Sequence, residues 1–380
     1  MSPRLATVAR SPAASTVTRV SPARPEAARV RPRAARARPT AKRGEFAWVG
    51  WSDERLLDLR FCDLGVKIPG TRVARRLDVL REELKRRGLR FRPHAWLSED
   101  WFSPDGVPGI AIPFYLAHPR LMQLEHRQMF EVEGGTDRWC LRILRHEAGH
   151  TMDTAFRLSR RKRWRELFGK ASKPYPTFYH PKPYSKSFVL HLGWWYAQSH
   201  PSEDFAETFA VWLKPGSAWR RDYSGWSALK KLQYVDELMA TLAGKKAPVT
   251  CRQQVDTLSE NTGTLRDYYE EKRATYRADY PEIYDRDLLR VFPDSGGRGK
   301  QKSAAAFIRR HRAEVREWVA RGTGEHSYTV DQIIDEVVVR CRELDLRFSH
   351  PEDRVKAEVA VLLSVQMVNY LHSGHHRVPL

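Results

Sequence analysis

Residues 146–150 read His-Glu-Ala-Gly-His, and no other run in the chain speaks so directly of chemistry. Side chains four apart in a helix project from one face, a turn apart. His146 and His150 can therefore converge on a single cation, and neutral imidazole nitrogens suit Zn²⁺. Glu147, beside the first histidine, can reach a water activated by that metal without ligating it. The pattern predicts metal-assisted hydrolysis with one zinc ion and Glu147 as general base. Such a run arises by chance on the order of a few hundredths of a time per chain of this histidine content. A pair of helix histidines bonded to carbonyls is thus the weaker reading.

Two histidines and a water leave a tetrahedral site one protein donor short. A third histidine at position 156 is excluded, because that residue is Phe156. The better source is the run from Ser202 to Ala210, where Glu203 and Glu207 share one helix face. One of these carboxylates can bind the metal while the other accepts an N–H from a ligating imidazole and fixes its tautomer. Acidic residues in a first helical turn are also favoured by the dipole alone. Asp153, His191 and His200 therefore compete with the two glutamates for the third position, and Asp153 suits equally well a place beside a ligating histidine.

Periodicity then supplies the elements that must carry these groups. A helix is expected from Thr71 to Gly88, with Val73, Leu77, Val79, Leu80 and Leu84 on one side. Strands are expected at Leu89–Leu97 and Gly109–Leu116, separated by a Ser-Pro-Asp-Gly turn at 103–106. A helix over about Pro119 to Val132 precedes the Gly134-Gly135 break, after which Thr136 or Asp137 can cap a long helix to about Leu158. The stretch 174–201 reads as a long loop with one short strand. Pro201 suits the first turn of the next helix, Ser202 to Leu213. Beyond about Val249 the pattern is helical, over Leu258–Arg277, Ala304–Arg321, Val330–Leu344 and Pro351–Leu371.

Charge is unevenly distributed. The net charge is +20, but residues 1–44 hold ten Arg and one Lys against Glu26 alone, which is +10 and half the total. This Ala/Arg/Pro/Ser-rich stretch lacks an apolar face and reads as a disordered tail. It offers at most weak attachment to nucleic acid or another polyanion. Arg160 to Arg163 read as a solvated helix end, and His372, His375 and His376 as a terminus without function. Four cysteines without a CxxC pair read as reduced thiols. The chain shows no secretory signal and no apolar run long enough to span a membrane, which favours the cytoplasm.

The combination of Leu144-Arg145-His-Glu-Ala-Gly-His with the downstream Glu-Asp-Phe-Ala-Glu resembles the gluzincin branch of zincins, and most closely the bacterial family of putative zinc-binding metallopeptidases. The Glu-x-Phe-Ala-Glu helix is also similar to that of anthrax lethal factor. The resemblance implies Glu203 on the metal with Glu207 beside it, and Tyr196, seven residues earlier, as the oxyanion-stabilising phenol. Tyr175, Tyr179 and Tyr184 read as loop packing or substrate contacts. The long interval from His150 to Glu203, and Glu207 where thermolysin-like members have Asp, depart from the gluzincin pattern.

The expected fold is α+β. A disordered tail (1–45) precedes a zincin-like domain (46–250) with a small mixed sheet and the metal helix behind it, followed by a helical C-terminal region (251–380). The strand Gly109–Leu116 is expected to line the cleft as an edge that pairs with an extended peptide. The expected activity is zinc-dependent amide hydrolysis, with a peptide or protein as substrate. The rivals are a non-proteolytic zinc amidase and a polyanion-binding protein whose zinc is structural. Oligomeric state and the role of 251–380 are not legible.

Overall fold

Thr71 and Thr136 each sit in extended conformation and accept a backbone N–H three residues on, so the helices that follow begin where side-chain caps satisfy their first donors. The computed structural model describes residues 46–176, 178–183, 185–276, 285–295, 301–372 and 378–379. The tail at 1–45, Tyr184, His375 and His376 lie outside the described residues.

The elements in chain order begin with α1 (Asp53–Leu57), α2 (Arg72–Arg86), β1 (His94–Ser98), β2 (Gly109–Pro113), α3 (Pro119–Met129), α4 (Asp137–Phe156) and α5 (Lys162–Phe168). Then come β3 (Phe178–Tyr179), α6 (Pro201–Leu213), α7 (Trp219–Asp222), α8 (Ala228–Leu242), α9 (Leu265–Thr275) and α10 (Asp285–Val291). The chain continues through β4 (Asp294–Ser295), β5 (Lys302–Ser303), α11 (Ala304–Thr323), α12 (Ser327–Glu343), β6 (Leu346–Phe348), α13 (Glu352–His372) and β7 (Val378–Pro379). The fold is mixed but mainly helical, and among the described residues the strands form three separate small sheets: β1 with β2, β3 with β7, and β4-β6-β5. None of the described helices is long and apolar enough to cross a membrane.

Both strands near the site are shorter than the sequence suggests, and proline accounts for it. Pro93 has no N–H to enter a ladder, so β1 starts at His94, and Pro113 ends β2 before a 3₁₀ turn at Phe114–Ala117. The pair is parallel, His94 lying against Gly109 and Ser98 against Pro113. The connection doubles back, with the expected turn closed from Val107 N to Pro104 O and Gly106 at φ +76°. Phe102 then pairs with Ala111 on the far side of β2. β2 is thus buried along its whole length and flanked on both sides, which corrects the expectation of an open edge strand over 109–116.

Among the described residues two large apolar cores form, beside a small cluster of Trp96, Val107 and Ala111. The larger runs from Trp48 to Tyr269 and joins α2, β2, α3, α4, α6 and α8. The smaller takes Leu288 to Met367, from α10 to α13 and β6. A line drawn at 250 runs through the larger core, because Leu258, Leu265, Tyr268 and Tyr269 pack within it. Val79 is another departure: 44% exposed, it faces away from buried Leu77, two residues being more than half a helical turn.

Two buried ionic clasps set the pose of α4 and α6. Arg145 of α4 makes a two-pronged contact with Glu83 of α2, at 2.8 and 2.7 Å. Arg76 of α2 donates to the carbonyls of Gly134 and Gly135 and to Asp137, holding the turn that launches α4. On the other side Asp204 of α6 accepts from Lys231 of α8 at 2.6 Å.

Candidate metal centre

The face of α4 that carries both histidines meets α6 at Gly149. A Cβ there would lie 2.7 Å from the Cα of Ala206, closer than packed atoms come. Glycine at 149 and alanine at 206 let the two backbones approach, and this approach brings Glu203 to the imidazoles. Replacing Gly149 by Ala is expected to push α6 outward, lowering stability by about 1–3 kcal/mol and zinc affinity by at least about tenfold. Thermal melts and competition titration against a chelating dye measure the two; an unchanged affinity would show that the close approach does not position Glu203.

Among the described residues one group of three could hold a metal: His146, His150 and Glu203, all buried. Glu203 Oε2 lies 2.9 Å from His146 Nε2 and 3.1 Å from His150 Nε2, and the two nitrogens are 3.1 Å apart. Donors around a tetrahedral zinc with bonds near 2.0–2.1 Å stand roughly 3.3 Å from one another, so the triangle fits. Glu207 Oε1 accepts from His146 Nδ1 at 2.8 Å and its Oε2 from Leu192 N at 2.7 Å. With its proton on Nδ1, neutral His146 offers a bare lone pair at Nε2. Three electron-pair donors then face one another in a buried space, an arrangement that only a cation or a proton satisfies.

The metal-free electrostatics tell the same story. Burial opposes charging His146, but Glu203 and Glu207 outweigh it and raise its pKa to about 10, so without metal the ring holds a proton between two carboxylates. Burial also acts on Glu207, yet the contacts with His146, His191 and Leu192 N–H prevail and its pKa is lowered. It remains an anion.

Glu147 follows His146 in α4, and its Oε2 accepts the Ser103 hydroxyl at 2.9 Å. Ser103 belongs to the β1–β2 connection. Nothing in its sequence neighbourhood points to that contact.

The remaining candidates go elsewhere. Asp153 accepts from Ser159 N at 2.6 Å through Oδ1 and ties down the turn after α4, while the charge of His150 also acts on its carboxylate. His191 is pushed down to a pKa of about 4 by burial, and as a neutral ring it donates to the Arg142 carbonyl. His200 caps α6, accepting from Ser202 N through Nδ1 and donating to the Lys173 carbonyl through Nε2. With one ring nitrogen accepting and the other donating, it has no lone pair left for a metal.

Two phenols lie near the group of donors. Tyr196 is buried, at 5% exposure, with its ring 5.6 Å from that of His146. It follows Trp194 and Trp195, both at positive φ (61° and 52°), a costly conformation for bulky residues that turns the chain sharply before it. The Tyr175 hydroxyl donates to Glu203 Oε1 at 2.7 Å while its ring stacks on His200 at 3.9 Å. Tyr175 is 41% exposed and stands 28 residues from Glu203 in an irregular loop, where no periodicity could have tied the two together.

No curated protein and no solved structure matches the chain. Residues 125–270, a stretch that contains His146, Glu147, His150, Tyr175, Tyr196, Glu203 and Glu207, match the family model described as "Putative zinc-binding metallo-peptidase".

Proposed function

We propose that this protein is a zinc-dependent hydrolase that cleaves amide bonds in peptides or proteins, with a zincin-like catalytic unit. The observation that carries the reading is the convergence of His146, His150 and Glu203, with Glu147 next to His146 on the same helix. A zinc ion held by those three residues would supply a Lewis acid that polarises a carbonyl and makes water acidic near neutral pH.

The chain's own groups do the rest. Glu147 takes a proton from the attacking water and returns it to the leaving amine. Ser103 holds one oxygen of Glu147 and so fixes which oxygen is used. Glu207 keeps His146 in the tautomer whose Nε2 faces inward. Tyr175 and Tyr196 are the phenols near enough to donate to a developing oxyanion, a contribution of roughly 3–4 kcal/mol for one well-placed donor.

A purely structural zinc needs a fourth protein donor. Among the described residues no fourth His, Cys, Asp or Glu joins the group of three, and His200 spends both ring nitrogens on backbone groups, which favours an open, catalytic site. A zinc amidase acting on non-peptide amides shares every residue of the mechanism and differs only in substrate. The four free thiols suit a reducing compartment such as the cytoplasm. We further read 46–276 as the catalytic unit, the helical C-terminal part as an appended region, and the basic tail as a weak polyanion contact.

The test is hydrolysis of a quenched-fluorescent peptide mixture by the full chain. Activity should vanish on chelation and return with one equivalent of zinc. A chain that holds zinc but leaves peptides intact, while hydrolysing simple amides, would transfer the assignment to an amidase.

A further inference from the structure

Nearly every cation that this fold takes out of solvent has an oxygen to hold. Arg76 and Arg145 grip the α4 clasps, Lys231 holds Asp204, Lys272 holds Glu125, and Arg312 holds Asp331. Arg142 is different. It is half-buried on α4, yet among the described residues its guanidinium makes no hydrogen bond and no ion pair. The charges that act on it are the favourable Glu207 and the repulsive Arg138, while burial pulls its pKa down. Glu207 already spends its two oxygens on His146 and on Leu192 N.

Position makes this residue more than a spare charge. Arg142, His146 and His150 are spaced by four and lie along one face of α4. One step of four residues advances about 6 Å along the helix. An extended peptide advances about 3.3–3.6 Å per residue, so an anion held by Arg142 belongs within roughly two or three residues of the atom facing His146. A partly desolvated, unmatched guanidinium costs the folded protein free energy, and its planar fork of donors is shaped for a carboxylate.

We propose that Arg142 anchors a carboxylate-binding subsite, and that preferred substrates carry a carboxylate within a few residues of the scissile bond. That carboxylate comes from an acidic side chain or from the peptide's own C-terminus. The proposal rests on the peptidase reading for its substrate class, but the subsite itself is testable by binding.

The probes are fluorescent hexapeptides in three matched forms: neutral with an amidated C-terminus, neutral with a free C-terminus, and amidated with one Asp moved through the sequence. Binding to the zinc-loaded Glu147→Gln chain and kcat/KM for the wild type are measured for each. The wild-type pocket should favour a carboxylate form by roughly 10- to 100-fold, and Arg142→Gln should abolish that preference while Arg142→Lys restores part of it. Melting temperature and zinc content establish that the variants are folded. A preference for Asp assigns the side-chain source, and one for the free C-terminus assigns the terminal source. Equal binding of all three forms, or a preference that survives in Arg142→Gln, overturns the subsite. Carboxylate-selective binding that depends on Arg142, in a chain that hydrolyses no peptide, would keep the subsite and sink the peptidase reading.

Discussion

Glu147→Gln is expected to fold, to hold zinc, and to lose hydrolysis by about 10²–10⁴-fold in kcat. The substitution is close to isosteric, and the Ser103 hydroxyl that donates to Glu147 can donate equally to an amide oxygen. Nothing in the group of metal donors changes, because Glu147 is not one of them. What disappears is a base: an amide cannot take a proton from water or return one to a leaving amine. A thousandfold loss corresponds to about 4 kcal/mol in the barrier, so the effect should fall on kcat rather than on KM. Zinc content, melting temperature and steady-state kinetics on one sample separate these cases. Wild-type turnover in the zinc-loaded variant would remove Glu147 from the mechanism; a variant stripped of zinc would place it among the ligands.

The parts of this site readable in sequence are those that one helix specifies by itself. His146 and His150 share a face because of a four-residue interval, and Thr136 and Pro201 mark where α4 and α6 begin because capping chemistry is local. For Asp153 the interval shows less: seven residues after His146 is two turns along the same face, but the contact its Oδ1 makes is with Ser159 N in the turn that follows α4, which helical spacing does not encode. Tyr175, Ser103 and the Arg145–Glu83 clasp depend on segments 28, 44 and 62 residues apart meeting in space. No periodicity encodes such meetings. The parallel pairing of β1 with β2 was hidden for another reason, since a ten-residue connection with a turn in it resembles a hairpin until Phe102 is seen to occupy the far edge of β2. Arg142 stood one step of four before His146 throughout, but only burial without a partner distinguishes it from the many solvated arginines of a chain with net charge +20.

Glu203→Gln should weaken zinc binding by at least about 100-fold, more than the loss of a residue that merely orients a ligand, and should also change how binding responds to pH. In the wild type, metal-free His146 holds a proton, its pKa raised to about 10 against the pull of burial by Glu203 and Glu207. Zinc needs the lone pair where that proton sits, so binding expels it. The sign follows: the proton is bound in the metal-free state and absent in the loaded one, so raising the pH favours loading, by about tenfold per unit until the pH nears 10. Removing the Glu203 charge takes away one of the two carboxylates that hold the proton, leaving Glu207 alone against burial. The His146 pKa must fall, and the rise of affinity with pH should level off at a lower pH than in the wild type. Two changes in one variant, weaker binding throughout and an earlier plateau, belong together only if Glu203 is both a ligand and a partner of His146. Zinc titration across pH 6–9, with proton release followed in weakly buffered solution, reads both. An undiminished affinity would show that the third donor is another residue; weak binding with an unshifted plateau would show that Glu203 ligates the metal without controlling the proton.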